Sequence, residues 1–243
     1  MAECILIASG KGGVGKSTAT VFLGAGMAER GKKVLLIDAD VGLGALDIML
    51  RSEERTMNTW LDVENDRCTP QKAVIRISER LSLLSAPKFS VGDIDRNVFR
   101  RILSKCGNEY DMIFIDAPAG IDDGLERAAI ACDKAIFVAT ADEISVKGAA
   151  AAASETEAFG IERENMRLLI NRFVKKAALK SNLLNVDGVI DKTGVRLLGI
   201  VPEDKKIPYS SVTGVFPGEK SKFLKAVRRI SARIDGENVP LVL

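Results

Sequence analysis

The sequence predicts a single α/β domain with a doubly wound, mostly parallel sheet and helices on both faces. Short apolar runs bounded by turn residues recur along the chain, with helix-length segments between them. The runs are continuous rather than alternating, which is typical of strands buried on both faces. Regular alternation of strand and helix favours a parallel sheet, and such sheets bind ligands beyond the carboxyl ends of their strands.

Each apolar run predicts one strand, and the segments between the runs predict the helices. The strands are Cys4 to Ala8, Val34 to Ile37, Leu81 to Leu84, Met112 to Ile115, Ala135 to Ala139, Leu168 to Ile170 and Leu197 to Val201. The helices are Ser17 to Arg30, Arg96 to Lys105, Asp123 to Ala131, Val146 to Phe159, Val186 to Thr193 and Ser221 to Ile234. No repeat or linker marks a boundary, so we expect residues 1–243 to form one domain, with 235–243 as a loose tail.

Composition and charge exclude several classes of protein. Of the 243 residues, 47% are hydrophobic and 28% charged, as in globular proteins rather than disordered or collagenous ones. The formal charge of +2 is too small to indicate nucleic-acid binding from bulk charge. No apolar stretch reaches the length of a membrane span, and the amino terminus does not resemble a signal peptide. We expect a cytoplasmic protein.

The absence of histidine and the spacing of cysteine narrow the chemistry. A chain without histidine has no Ser/His/Asp or Cys/His triad and no imidazole acid or base. Cys4, Cys68, Cys106 and Cys132 contain no CxxC pair, which argues against a zinc ribbon or a redox dithiol. We expect buried, reduced thiols.

The strongest motif is SGKGGVGKST, Ser9 to Thr18, called the phosphate loop below. It follows the first predicted strand, opens the first long helix and fits the pattern GxxxxGK[ST]. Glycines let the backbone wrap until successive amides point at phosphate oxygens, and the helix amino terminus adds partial positive charge. Lys16 would lie by the β and γ phosphates, and Ser17 would hold Mg²⁺. The candidate binding residues are Gly10, Gly12, Gly13, Val14, Gly15, Lys16, Ser17 and Thr18.

Acidic residues follow two other strands. Asp116 ends one apolar run, whereas Asp38 ends another and Asp40 comes two residues later. Acids at strand ends are commonly turn formers, but beside a phosphate loop they are candidates for the metal and the attacking water. If the chain stays extended, Asp38 and Asp40 leave on the same side. One would orient the water on Mg²⁺ and the other the attacking water.

The motifs together resemble one family. KGGVGKST, residues 11–18, resembles the deviant Walker A motif of the MinD/ParA class of P-loop ATPases, whose signature lysine is here Lys11. LLIDADVGLGALD (35–47) and FIDAPAGIDDG (114–124) are similar to the two switch regions of that class. LLINR (168–172) and VPED (201–204) are similar to its adenine-side strands. The resemblance extends from the first strand to about Ile234.

The resemblance implies binding of ATP and Mg²⁺ and closure into an ATP-dependent homodimer with nucleotide at the interface. Lys11 would then act like an arginine finger supplied to the partner subunit. The implied catalytic residues are Lys11, Lys16 and Asp40; the metal-supporting residues are Ser17, Asp38 and Asp116; and the adenine-pocket residues are Asn171, Arg172 and Pro202.

The resemblance also implies a role in placing the division septum, with a septation inhibitor, an activator protein or both as partners, and peripheral attachment at the inner face of the membrane. The alternative is a ParA-type partitioning ATPase that binds nonspecific DNA, in which phosphate contacts make affinity fall with salt. A solvated helix face is the more economical interpretation of its candidate basic residues. These are Arg163, Arg167, Arg172, Lys175, Lys176 and Lys180.

Two segments depart from the family pattern. In VKGAAAAA, Lys147 is present but Gly148 and Ala150 occupy positions where acids are usual. The chain ends in DGENVPLVL, where a membrane-binding helix would begin, and no clear targeting helix is present. Ser221 to Ile234 reads as a basic amphipathic helix, for which we favour packing on the sheet over contact with a membrane.

Overall fold

The sheet lies at the centre of the molecule and has the predicted doubly wound architecture. The computed structural model describes residues 2–89, 92–175, 184–213, 218 and 220–242. Within these residues the strand order is β3-β4-β2-β5-β1-β6-β7-β8, and only the β3–β4 pair is antiparallel. The strands are β1 Glu3–Ala8, β2 Val34–Asp38, β3 Val74–Arg76, β4 Leu81–Leu84, β5 Met112–Asp116, β6 Lys134–Ala139, β7 Met166–Phe173 and β8 Leu197–Pro202.

The helices connect the strands across both faces of the sheet. All six predicted helices are confirmed with small shifts at their ends. The structure adds β3 and four short helices that were not predicted: Ala45–Leu50, Trp60–Glu64, Pro70–Ala73 and Ile207–Thr213. In chain order the helices are α1 Lys16–Glu29, α2 Ala45–Leu50, α3 Trp60–Glu64, α4 Pro70–Ala73, α5 Val98–Cys106, α6 Asp123–Ala129, α7 Glu143–Ala158, α8 Val186–Thr193, α9 Ile207–Thr213 and α10 Lys222–Ile234.

Successive residues of the central strands enter two separate cores. In β1, Leu6 packs in one core and Ile5 and Ile7 pack in the other, because side chains alternate across a strand. The first core includes residues of α5, α6, α7 and α8, and the second includes residues of α1 and α10. Both faces of the sheet are therefore covered, which explains why its strands read as continuous apolar runs.

The apolar stripe of α10 belongs to the second core. Phe223, Val227 and Ile230 are each at most 4% exposed. The ring of Phe223 packs edge to face against the ring of Phe22 in α1, with the ring centroids 4.7 Å apart. This confirms packing on the sheet, so the stripe does not face a membrane. Within the described part of the chain, no helix is long and apolar enough to cross a bilayer.

The first residues after α10 contact the loop that follows α1. Asp235 forms ion pairs with Arg30 and Lys32, and Arg30 also pairs with Glu237. The backbone oxygen of Val239 accepts a hydrogen bond from the side chain of Arg233. This part of the expected loose tail is therefore packed against the domain, whereas Leu241 and Val242 are about half exposed.

Candidate nucleotide-binding site

The strand order brings the phosphate loop and two aspartates to one edge of the sheet. β5 lies between β2 and β1, and in this register Asp116 is aligned with both Asp38 of β2 and Ile7 of β1. The loop follows directly after β1. The expectation that these strand ends meet is confirmed, because neighbouring parallel strands present their carboxyl ends at the same edge.

The phosphate loop wraps through left-handed backbone conformations before α1 begins. Gly13 has φ 78° and Gly15 has φ 93°, a region that glycine adopts without steric cost. A Cβ atom on Gly15 would also overlap the side-chain amide of Asn171. Gly15 is the N-cap of α1, and no side chain caps this end of the helix. The first amides of α1 therefore remain available to an anion at the helix amino terminus.

Lys16 and Asp116 form a buried ion pair under the loop. Lys16 Nζ is 3.0 Å from Asp116 Oδ1, and the side chains are 6% and 0% exposed. Thr20, one turn along α1, donates a 2.7 Å hydrogen bond to the same carboxylate oxygen. Lys16 Nζ and Asp116 Oδ2 have no hydrogen-bond partner among the described residues. Sequence reasoning missed Thr20, although its position one turn after Lys16 placed it on the same side of the helix.

Asp38 is held by backbone amides at the end of β2. Its carboxylate accepts hydrogen bonds from the amides of Asp40 (2.9 Å) and Leu46 (3.3 Å), and its side chain is buried. Burial, followed by the negative charge of Asp116, raises the pKa of Asp38 to about 7, while these amides and Lys16 oppose the rise. Of the two neighbouring carboxylates, Asp116 is thus paired with Lys16, and Asp38 is held by backbone amides.

The donor set of this edge fits a magnesium ion bound with a nucleotide. Asp116 carries a buried oxygen without a partner, and the carboxylate and hydroxyl oxygens of Asp38, Asp116 and Ser17 are hard ligands that suit Mg²⁺. No group of three or more acidic or cysteine side chains placed to hold a metal occurs in the described ranges. Mg²⁺ commonly takes one or two carboxylates and completes its shell with phosphates and water.

Asp40 lies in a different environment from Asp38. β2 ends at Asp38, and Asp40 borders a cavity of about 630 Å³ that Trp60, Asp122 and Arg127 also line. Burial raises the pKa of Asp40, with Lys16 acting in the opposite direction. Asp40 is thus the half-buried acid of the pair, and Asp38 the fully buried one.

The predicted adenine-side residues come together beside the phosphate loop. Asn171, Arg172 and Pro202, at the ends of β7 and β8, line a cavity of about 470 Å³ with Gly15 and Thr18. The side-chain amide of Asn171 donates a 2.8 Å hydrogen bond to the backbone oxygen of Val14, so it also anchors the loop. Sequence reasoning missed further lining residues, which come from the segment before α9, from unpredicted α9 itself and from the apolar stripe of α10: Lys205, Ile207, Pro208 and Phe223.

Lys11 lies on the surface and contacts α7. Its ammonium is 3.7 Å from Asp142, and the lysine side chain is 44% exposed. Asp142 is the N-cap of α7 and accepts a hydrogen bond from the amide of Ser145. Although partial burial acts the other way, hydrogen bonds from Thr140 and Ser145 and the charge of Lys11 lower the pKa of Asp142. In the single chain, therefore, Lys11 is turned toward α7.

Gly148 of α7 packs directly against the phosphate loop. A Cβ atom on Gly10 would overlap the backbone carbonyl of Gly148, and one on Gly148 would lie 3.0 Å from the carbonyl of Gly10. This close approach gives the departure at Gly148 a physical reason, because a side chain at Gly10 would overlap α7 and one at Gly148 would require a small shift of the loop or the helix.

Comparisons with known proteins agree with this arrangement. The AAA domain family matches residues 2–170. The septum site-determining protein MinD of Thermotoga maritima is 34% identical, with 99% of this chain and 91% of the relative covered. The MinD of Bacillus subtilis is 33% identical over 99% and 92% of the two chains.

Solved structures show the same fold. The chain superposes on the MinC:MinD cell division protein complex of Aquifex aeolicus with a TM-score of 0.91 and 33% identity, covering 100% of this chain and 99% of that one. The match to the family spans more than half of the chain, and the relatives match it nearly from end to end. The chain therefore belongs to the MinD/ParA family of P-loop ATPases.

Proposed function

We propose that the protein is an ATP-hydrolysing switch of the MinD type that takes part in septum-site determination. The observation that carries this proposal is the buried Lys16–Asp116 pair beneath an uncapped helix amino terminus. The buried lysine nitrogen, together with a carboxylate oxygen that has no hydrogen-bond partner among the described residues, suits a phosphate chain and its cation. Near full-length identity to relatives named septum site-determining protein MinD supports the cellular role.

The phosphate loop binds the nucleotide in this proposal. Its amides and Lys16 contact the phosphates, while Ser17, Asp116 and Asp38 support Mg²⁺, which supplies positive charge between the phosphates. The candidate loop residues Gly10, Lys11, Gly12, Gly13, Val14, Gly15 and Thr18 shape this cradle. Asn171, Arg172 and Pro202 receive the base in the adjoining cavity. Asp40, which is half-buried, orients the attacking water.

The active form is an ATP-bound homodimer in which Lys11 reaches the phosphates of the partner subunit. The 44% exposure of the Lys11 side chain supports this, because its contact with Asp142 is a surface ion pair that costs little to exchange. Exposed apolar side chains follow three strands of the sheet, at the same edge: Leu43 after β2, Ile121 after β5 and Ile144 after β6. These three residues, called the apolar edge below, suit a protein interface.

The dimer then recruits its partners. A septation inhibitor and an activator of the Min type would bind the ATP-bound form, so hydrolysis would end the signal. The solved MinC:MinD complex supports such a partner for a protein of the same fold. The membrane, if contacted, meets a surface other than the apolar stripe of α10, which is buried.

The phosphate-binding role is tested by Lys16→Ala. Loss of the lysine that is paired with Asp116 should abolish measurable ADP and ATP binding in calorimetry. The matched control is Lys72→Ala, since Lys72 is exposed on α4. Unchanged nucleotide affinity in Lys16→Ala would contradict the assignment.

The cellular role is tested by sedimentation with anionic liposomes and, in parallel, with nonspecific DNA, each with ATP or ADP. Binding to liposomes only with ATP would support the MinD-type role. ATP-dependent, salt-sensitive binding to DNA alone would favour the partitioning alternative. Of its candidate basic residues, Lys176 and Lys180 lie outside the described residues, and Arg167 and Arg172 are about 17 Å apart along β7.

A further inference from the structure

Two cysteines that are far apart in the sequence meet at the amino edge of the sheet. Cys4 in β1 is 3% exposed, and Cys132, partly exposed, lies between α6 and β6. Their sulfur atoms are 3.3 Å apart, within hydrogen-bond distance. The expectation of buried thiols holds for Cys4 and Cys106 but not for Cys68 and Cys132.

The backbone fixes this pair in place. β1 and β6 are neighbouring parallel strands. The amide of Asp133 donates to the backbone oxygen of Cys4, and the amide of Cys4 donates to the carboxylate of Asp133, both at 2.9 Å. Cys4 and the residue next to Cys132 are thus held by two hydrogen bonds. The sulfurs meet because of strand pairing, and a disulfide requires them to approach from 3.3 Å to about 2.05 Å.

We propose that Cys4 and Cys132 are a site of reversible disulfide formation, with a peroxide as the oxidant. The thiolate of Cys132, the more exposed partner, attacks a peroxide oxygen; the O–O bond breaks, water leaves and a sulfenic acid forms on Cys132. The sulfur of Cys4 then attacks the sulfenic sulfur, the S–O bond breaks and a second water leaves. Two thiols lose two electrons and hydrogen peroxide gains them, so the reaction is balanced.

The surroundings of the cysteines determine how fast Cys132 is oxidised and which thiol it pairs with. Burial and the hydrogen bond with Cys4 raise the pKa of Cys132, so its thiolate is scarce at neutral pH and oxidation is slow. Cys106 does not compete, because its thiol is buried and donates to the backbone oxygen of Ile102. The product would link the strand that leads into the phosphate loop to the end of α6. Reduction by a dithiol would restore the starting state.

The test treats the full chain with hydrogen peroxide at mildly alkaline pH and maps the peptides by mass spectrometry. We expect a Cys4–Cys132 peptide, a mass loss of about 2 Da and a fall from four free thiols to two. Dithiothreitol should restore all four. Stable oxygen adducts on Cys132, or intermolecular links without the Cys4–Cys132 peptide, would overturn the proposal.

Two variants make the test specific. Cys132→Ser should abolish the internal link, whereas the control Cys106→Ser should form it as efficiently as the original chain. Because the sulfurs are already in contact, the oxidised protein should unfold at a Tm equal to or above that of the reduced protein. A lower Tm would overturn the claim that the native geometry forms this bond, and that measurement does not depend on the folding of either variant.

Discussion

Asp38 and Asp40 are separated by one residue but have different neighbours. Asp38 is buried beside Asp116, its charge opposed by burial and by that neighbour, which suits a group that acts next to a cation. Asp40 is half-buried and borders a wide cavity, so a water molecule can reach it. These surroundings support the proposal that Asp38 assists the metal and Asp40 positions the nucleophile.

Replacing Asp40 should therefore separate binding from hydrolysis. We expect Asp40→Ala to bind ATP within about twofold of the original affinity and to form dimers, while single-turnover hydrolysis falls by at least tenfold, in line with loss of a positioning or general-base group. Asp191→Ala, at an exposed position on α8, is the control. Full turnover in Asp40→Ala would remove its proposed role.

Gly148 should affect nucleotide binding from outside the phosphate loop. In Gly148→Ala the new methyl group lies 3.0 Å from the Gly10 carbonyl, so the loop or α7 must shift. We expect ADP affinity to fall about three- to tenfold by calorimetry, and to fall further in Gly10→Ala, where overlap is more severe. Alanine favours helix, so the Tm of Gly148→Ala should not fall in parallel. Equal affinities in all three proteins would show that this contact does not position the loop.

At the scale of elements, ion pairs connect the residue that follows α10, Asp235, to Arg30 and Lys32, which follow α1. Hydrogen bonds from Lys32 and Arg30 hold the pKa of Asp235 below its usual value. A carboxyl whose pKa is lower in the folded state stabilises the fold above its unfolded pKa, and this contribution is lost as pH falls through the folded pKa. The contact is largely solvated, so its contribution is small.

The corresponding prediction concerns the pH dependence of stability. Asp235→Asn should have a lower Tm than the original chain at pH 7, and the two values should converge below about pH 3, where the carboxyl is protonated. Thermal unfolding followed by circular dichroism measures the difference. In the control Asp191→Asn, on exposed α8, the Tm should follow the original at every pH. If the Tm difference between Asp235→Asn and the original chain were the same at all pH values, the stabilisation by Asp235 would not come from its charge.

At the scale of the whole molecule, the site occupies one edge of the sheet, and the apolar edge surrounds it. Leu43, Ile121 and Ile144 are 61%, 52% and 69% exposed, which costs solvation free energy in an isolated chain and favours association. The phosphate loop, Lys11 and these residues lie after β1, β2, β5 and β6, adjacent strands of the sheet. A second copy docking there would cover the nucleotide.

Charge on the apolar edge should therefore block dimerisation without blocking binding. We expect Ile121→Asp and Ile144→Asp each to weaken the ATP-dependent dimer at least tenfold, about 1.4 kcal/mol, because a buried unpaired carboxylate is costly. Light scattering coupled to gel filtration measures the dimer, and calorimetry checks that ADP affinity is kept. Leu241→Asp, at a 47% exposed position beyond α10, is the control. Dimers of normal stability in both edge variants would place the interface elsewhere.

Local patterns predicted the long elements and the phosphate loop because those signals lie within a few consecutive residues. The short helices α2, α3 and α4 were missed, since four to six residues carry too little periodicity to identify a helix. Asp47 of α2 illustrates what holds such a segment: its buried carboxylate accepts hydrogen bonds from Ser52 and Ser85, partners that pattern reading does not reveal.

The amino-acid sequence alone determined the fold class, the phosphate loop and the candidate acids, because each depends on apolar runs or on motif residues close together in the chain. Only the tertiary structure showed that Thr20 hydrogen-bonds Asp116 and that the apolar stripe of α10 is buried. It also showed that Gly148 packs against Gly10 and that Cys4 contacts Cys132. These contacts join residues from different elements. They depend on strand order and helix packing. These are fixed by the burial of apolar surface over the whole chain rather than by any local segment.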